Sequence, residues 1–256
     1  MNRGIYPILS GALAQERMIQ GFAHNIANVN TTGFKQEDVM FKSHVTRHLR
    51  VLPPAGTVTL ASEMWSPETQ VPERVFVAPN GGKTVFESGR LRPTGNPYDF
   101  AVQGAGFFEV KTPGGPRYTR DGVFHLDAKR TLVNEQGHPV MGIKGPIKVP
   151  LGELQVDPRG TLLVNNQEVG RLKIIEFPED KMPARAADGL FDGTGGKVAK
   201  APTVLAGAVE DSNVNPLSEM VKMIQGMRTY ESAQKVIQTF DRMAEMAVND
   251  LGRVQA

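Results

Sequence analysis

Residues 5–29 read IYPILSGALAQERMIQGFAHNIANV. Within this run Ile5, Ile8, Ala12, Gln15, Ile19, Phe22, Ile26 and Val29 follow alternating steps of three and four, and only Gln15 is polar. Such spacing draws one narrow apolar line along an α-helix, the kind that meets another helix and not a broad core. The far end repeats the theme. Met223, Met227, Tyr230, Ala233, Ile237, Phe240, Ala244, Ala247 and Leu251 form a second line, with one phase slip near Ala233. Two such lines predict terminal helices that pair with each other and with neighbouring copies in a coiled-coil layer. The emphasis falls on assembly, not chemistry.

Helix boundaries follow from local rules. The first helix is expected from about Ile5 to Asn28, with Pro7 tolerated in its opening turn and the Asn28-Val29-Asn30-Thr31-Thr32-Gly33-Phe34 run as its stop. Asn215 is suited to cap the last helix, Pro216 to its first position, and Glu219 to a first turn where the dipole favours a carboxylate. Asp38 to Leu52 reads as a short helix or an irregular arm.

The middle of the chain has a different texture. Pro53, Pro54, Pro67, Pro72, Pro79, Pro93 and Pro97 punctuate the stretch before Phe100, which favours extended chain and short edge strands. Phe100–Val110 and Arg117–Gly142 are the strongest strand candidates, with Asp121-Gly122 expected as a tight primed hairpin turn. Pro158-Arg159-Gly160 and Asn165-Asn166 supply further turns between short Val- and Leu-rich pieces. Ala186–Ala201 reads as a surface excursion rich in Gly and Ala. Strands spaced by turns, without helices between them, predict an antiparallel sheet. The expected fold class is therefore α+β: long N- and C-terminal helices in a coiled-coil layer around a central antiparallel β-rich domain. Residues 1–34 with 212–256 would form the helical domain, 35–80 an extended arm, and 81–211 the β-rich domain.

Composition narrows the function. The 29 basic and 27 acidic residues leave a net charge of +2, too balanced to recruit nucleic acid or an anionic membrane. There is no cysteine, so disulfides and thiolate metal sites are excluded. No apolar run is long enough to insert in a membrane, and Gln15, Glu16, Arg17 and Gln20 break up any signal-peptide layout near the start. Gly81-Gly82-Lys83-Thr84 ends like a phosphate-binding loop, but Val77 stands at the earlier glycine position and Pro79 interrupts it. His44 and His48 have zinc-ligand spacing without a third ligand in view, so solvated histidines are the better reading. No Gly-x-Ser-x-Gly occurs, and no paired acid and base stands out. No catalytic residue, metal or cofactor is expected. Met220, Met223, Met227, Met243 and Met246 fit core filling, or a seam that adapts to varied surroundings. Trp65 either covers a local pocket or anchors a contact to a neighbour.

The run Asn25-Ile26-Ala27-Asn28-Val29-Asn30-Thr31-Thr32-Gly33-Phe34-Lys35 resembles the N-terminal signature of the bacterial flagellar rod and hook proteins. Gln103-Gly104-Ala105-Gly106-Phe107-Phe108, Tyr118-Thr119-Arg120-Asp121-Gly122 and Leu132-Val133-Asn134 with Gly137 match that family's central segment in order. Ser212-Asn213-Val214-Asn215-Pro216, followed by the long helix, is similar to its C-terminal signature. One departure is Asp127-Ala128-Lys129-Arg130, where relatives commonly carry an Asp-Gly or Asn-Gly turn. The length, Gly170-Arg171-Leu172-Lys173 and Asp188-Gly189-Leu190-Phe191 look most like the proximal-rod member. The long arm from Asp38 to Pro72 is a feature shared with the distal-rod member.

The resemblance implies a structural subunit of the flagellar drive shaft that assembles helically through its terminal helices and transmits torque. It implies a place in the periplasmic rod of the basal body. Export would run through the flagellum's own type III apparatus, without a cleaved signal. Partners would be copies of the chain, other rod and hook axial proteins and that export apparatus. A distal-rod or hook-type subunit is the alternative within the family. A cell-wall hydrolase with helical oligomerisation ends is the alternative outside it.

Overall fold

The computed structural model describes residues 5–46 and 74–253. Trp65, His48 and the Pro53–Pro72 stretch lie outside the described residues, as do the side chains of Ile5, His44, Ala247 and Leu251. Helix α1 spans Ile5–Ala27, and α2 spans Pro216–Arg253. Among the described residues nineteen strands lie between them. The first ten are β1 Glu37–Thr46, β2 Arg74–Thr84, β3 Leu91–Pro93, β4 Phe100–Gln103, β5 Phe107–Thr112, β6 Gly115–Thr119, β7 His125–Leu126, β8 Leu132–Val133, β9 Met141–Gly142 and β10 Gly145–Pro146. Then follow β11 Leu154–Val156, β12 Thr161–Val164, β13 Gln167–Arg171, β14 Ile174–Glu176, β15 Ala184–Arg185, β16 Phe191–Asp192, β17 Lys197–Val198, β18 Thr203–Ala206 and β19 Ala208–Glu210.

The chain divides into two compact units. A β unit comprises Ala23–Asp38 and Thr84–Glu219, and a helical unit comprises Met1–Phe22, Val39–Lys83 and Met220–Ala256. In the β unit a six-stranded sheet runs β15-β16-β6-β5-β14-β17, flanked by the three-stranded β11-β12-β13 sheet and by paired short strands. Glu109 faces Tyr118 in the β5–β6 hairpin, and Ile174 faces Phe108 across β14 and β5, both antiparallel. Phe100, Phe108, Val110, Leu132, Leu162 and Ile174 form the centre of the main core and are almost completely excluded from solvent. Each such side chain contributes roughly 1.5–3 kcal/mol when fully buried. Phe107, Tyr118, Ile175 and Phe191 make a second cluster, in which Phe107 and Phe191 meet edge to face with centroids 5.6 Å apart.

In the helical unit α1 and α2 run antiparallel. The Lys222 ammonium lies 6.0 Å from the Phe22 ring, and Ile19 abuts Gly226. A Cβ at Gly226 would stand 3.1 Å from Ile19 Cγ1, so the missing side chain sets how closely the helices approach. Strands β1 and β2 pair with each other.

Four expectations are corrected. The chain holds one helix at each end and a β-rich centre, and no coiled-coil layer occurs among the described residues. The 3-4 reading failed because apolar side chains are not confined to one seam. Met227 and Phe240 of the supposed line are exposed, as are Met220, Val221 and Ile224 elsewhere on α2. The α1 line is also divided, since Ile26 and Val29 belong to the β unit.

Asp121-Gly122 is no primed hairpin turn, because neither residue has positive φ and the Gly122 carbonyl instead accepts from Phe100 N–H at 2.9 Å. Strand β1 takes up residues 38–46, which are neither helix nor irregular arm, and the rest of the Asp38–Leu52 stretch lies outside the described residues. Ala186–Ala201 is a surface excursion only in part. Most of it is exposed, but it carries Leu190, Phe191 and Ala199 into the cores, where β16 pairs with β15 and β6 and β17 pairs with β14.

Candidate assembly surfaces and the signature network

Residues far apart in sequence converge in the β unit. Asn25, fully buried near the end of α1, donates through Nδ2 to Glu37 O and to Glu219 Oε2, each at 3.0 Å. Its Oδ1 accepts from Glu37 N–H at 3.1 Å. Asn213 does the same for the next layer: Oδ1 accepts from Gln36 N–H at 2.7 Å, and Nδ2 donates to Val85 O and Glu87 O. Two asparagines thus replace ladder hydrogen bonds that no strand neighbour supplies, and buried backbone groups require such partners. Glu219, placed by sequence at a helix dipole, is buried and also accepts from Gln36 Nε2 at 3.3 Å.

Beneath these lies a buried charge cluster that sequence reading missed. Lys35 Nζ donates to Glu210 Oε1 at 2.6 Å and to Glu87 O at 2.8 Å. Arg120 Nη1 donates to Glu210 Oε2 at 3.3 Å and to Val102 O at 3.1 Å, while Nη2 donates to Gly104 O. The Arg120 guanidinium also sits 5.2 Å from the Phe107 ring centroid. Burial lowers the Lys35 pKa, opposed by Glu210, and lowers that of Arg120 for the same reason. The available signal was the presence of Lys35, Arg120 and Glu210 within otherwise apolar or signature segments.

Gly33 closes this corner. Its N–H donates to Glu210 O at 2.7 Å, its φ is +66°, and a Cβ there would meet Asp121 N at 2.3 Å. Only glycine fits. Thr32 donates its hydroxyl to Asp121 Oδ1, and Phe34 packs 5% exposed under the Arg185 guanidinium.

The structure therefore brings together Asn25, Thr32, Gly33, Phe34, Asn213 and Val214 around one network. Gly104 meets it through its carbonyl and Phe107 through its ring, whereas Phe108 belongs to the main core. Gly106, at φ +131°, backs onto Ile174 in that region. Among the described residues Asn28 makes local bonds, Nδ2 to His24 O and Oδ1 from Thr31. Asn30 is exposed. Ser212 Oγ accepts from Val214 N–H, and Asn215 caps α2, its Oδ1 accepting from Leu217 and Ser218 N–H.

The helical unit offers surface rather than network. Ala12 is buried, and Ile8, Ile19, Phe22, Met223, Tyr230, Ile237 and Ala244 are half-buried. Leu9, Ala12, Leu13, Tyr230 and Ile237 line a shallow apolar groove of about 310 Å³. Met220, Val221, Ile224 and Met227 occupy the side of α2 away from Gly226 and are 41–47% exposed. No helix among the described residues is long and apolar enough to cross a membrane.

Comparison with known proteins agrees with this geometry. Residues 101–165 match the model for the flagellar hook protein FlgE/F/G D1 domain, and residues 205–251 that for the flagellar basal body rod FlgEFG protein C-terminal. The flagellar basal-body rod protein FlgG of Borreliella burgdorferi is 31% identical over 97% of this chain and 98% of its own length. FlgF of Escherichia coli, also a flagellar basal-body rod protein, is 31% identical over 96% and 97%. FlgF of Caulobacter vibrioides is 31% identical over 99% of this chain and 100% of its own length, and the chain belongs to the flagellar basal-body rod protein family.

Proposed function

We propose that this chain is a non-catalytic structural subunit of the bacterial flagellar rod, adding to copies of itself and to other axial subunits through its terminal helices. The observation that carries this reading is the exposed apolar side of α2, where Met220, Val221, Ile224 and Met227 remain 41–47% exposed while the opposite side holds α1. Contiguous apolar surface of this kind marks a protein–protein contact. Each copy then presents a groove and an apolar face built from different residues, which favours a heterologous, open-ended array over a closed dimer. Torque would pass through many such contacts in parallel, in the periplasmic span of the basal body, after delivery through the flagellar export apparatus. Relatives named FlgF and FlgG are equally similar, and the chain length with the Gly170–Lys173 and Asp188–Phe191 runs supports the proximal position.

The test replaces Val221 and Ile224 with Gln in the full chain. The variant is expected to keep the circular dichroism and melting temperature of the parent but to lose polymerisation by light scattering and electron microscopy. Wild-type polymerisation by V221Q/I224Q would overturn the reading. So would clearing of peptidoglycan in a zymogram of the purified chain.

A further inference from the structure

The chain passes between its two compact units at Phe22–Ala23, Asp38–Val39, Lys83–Thr84 and Glu219–Met220. On the β-unit side, each of these four crossings leads straight into the asparagine network. Asn25 ties the first segment to the second through Glu37 N–H and O, and to the fourth through Glu219 Oε2. Gln36 ties the second segment to the fourth, its N–H donating to Asn213 Oδ1 and its Nε2 to Glu219 Oε1. It also holds the third, since Val85 N–H donates to Gln36 O at 2.8 Å. Asn213 closes the ring by donating to Val85 O and Glu87 O, and Lys35 Nζ adds a bond from the second segment to Glu87 O. All of these groups belong to the β unit, and none is part of its main apolar core.

The bonds depend on one another. Asn25 is fully excluded from solvent and Glu219 is 1% exposed. Movement of the first segment alone would take a donor from the Glu219 carboxylate and both Asn25 bonds from the Glu37 main chain. Movement of the fourth alone would take acceptors from the Asn25 and Gln36 amides and from Gln36 N–H. A half-open arrangement therefore holds polar groups away from both partner and water, whereas a fully open one hydrates them all. We propose that this network is a latch that opens all or none, freeing together the four segments that lead out of the β unit while the main core stays packed. Met220 follows the latch residue Glu219 directly, so the latch fixes the backbone from which the rest of α2 departs. The device rests on the fold of a single chain and is independent of the rod reading.

The test is native-state amide hydrogen exchange of the full chain, read at Gln36, Glu37 and Val85 against Leu132 and Val140, whose N–H groups are bonded within the main core. In wild type the three latch amides are expected to share one protection factor, within about three-fold, and to exchange at least about ten-fold faster than the core pair. Variants then separate a shared opening from independent bonds. Asn213→Ala removes no bond of Glu37, and Asn25→Ala removes none of Gln36 or Val85. Each should nevertheless accelerate all three latch amides by one common factor of about ten or more, with the core pair still slower. Acceleration confined to the residues that lose their own bond would overturn the latch. So would wild-type protection that differs among the three amides or coincides with that of the core pair. These wild-type readings decide the matter even where neither variant folds.

Discussion

Lys35 Nζ meets Glu210 Oε1 at 2.6 Å with neither side chain reaching solvent, although 175 residues separate them. Glu210 also accepts from Arg120 Nη1 and, through Oε1, from Gly89 N–H at 2.7 Å. One carboxylate thereby joins the segment after α1, the strand leading into α2 and the centre of the β unit. Its two cations cannot be hydrated, so the three charges stand or fall together.

Removing the shared anion is expected to cost more than removing either cation. Glu210→Gln strands two buried cations and should lower stability by about 3–5 kcal/mol. Lys35→Met leaves Glu210 paired with Arg120 and should cost less. Guanidinium unfolding midpoints rank the two. A smaller loss in E210Q than in K35M would refute the shared-anion account. The pH dependence is also fixed in sign. Burial holds the Lys35 pKa below its ordinary 10.5, so the folded state releases its proton before the unfolded chain does. This group's contribution is fully present above 10.5 and is lost as pH falls through the lowered value. The alkaline rise in stability from this site should vanish in K35M.

Asn25→Ala should destabilise the β unit without altering α1. It removes three hydrogen bonds and leaves the part-buried Glu37 N–H and C=O, and the buried Glu219 carboxylate, without the Asn25 amide. At about 1–3 kcal/mol for each unsatisfied buried group, the expected loss is roughly 2–4 kcal/mol. Asn25→Asp should be worse, since it sets a carboxylate against Glu219. Denaturant midpoints for the two variants, read against unchanged helicity, decide this. A loss below that of a typical surface substitution would show that water replaces the amide.

Local chemistry was legible in the sequence, and distant chemistry was not. Asn215 and Pro216 announce the start of α2 because capping depends on four consecutive residues, Asn215 to Ser218. The pairing of Asn25 with Glu219 spans 194 residues and has no local signature, so a buried Glu was taken for a dipole partner. Asp121-Gly122 misled for the same reason. Its residue types fit a primed turn, but the approach of Phe100 and Gly33 fixes a different backbone. Spacing in α2 identified a helix correctly but not which apolar residues face inward, because Met220, Val221 and Ile224 add a second apolar side.

The same five-residue turn occurs three times among the described residues. In Asp127–Thr131, Asn134–His138 and Asp157–Thr161 the first side chain accepts from the fifth N–H, and the fourth N–H returns to the first carbonyl. The fourth residue has positive φ each time: Arg130 at 58°, Gly137 at 79° and Gly160 at 78°. Arg130 sustains a conformation costing about 1–2 kcal/mol for a side-chain-bearing residue, because Nε donates to Val149 O at 2.7 Å and Nη2 to Pro150 O at 2.8 Å. Hydrogen bonds from a charged group contribute about 1.5–3 kcal/mol. Arg130→Gly should therefore be neutral to mildly destabilising, despite relieving the backbone. Gly160→Arg, with Val204 Cγ2 3.2 Å and Leu172 Cβ 3.5 Å from its new Cβ, should lose at least about 1–2 kcal/mol. Thermal melts of both variants test the contrast, and a clear gain from R130G would show that the side-chain bonds contribute little.

Asp121 supplies a test in the acid range. Burial raises its pKa above the ordinary 3.8, partly opposed by the Thr32 hydroxyl and Val123 N–H, while Glu135 and Asp99 push it further up. The folded chain thus keeps this proton to a higher pH than the unfolded chain. Stability linked to the group is complete below 3.8 and is lost as pH rises through the raised value. Asn at this position has no proton to lose and still offers Oδ1 to Thr32 and Val123. The melting temperature of D121N should match that of wild type near pH 3 and exceed it at neutral pH, with the gap opening across the titration of Asp121. A constant gap, or a variant less stable at neutral pH, would mean that the ionised carboxylate has a partner inside the folded chain. A positive gap means instead that the ionised carboxylate weakens the fold that holds it.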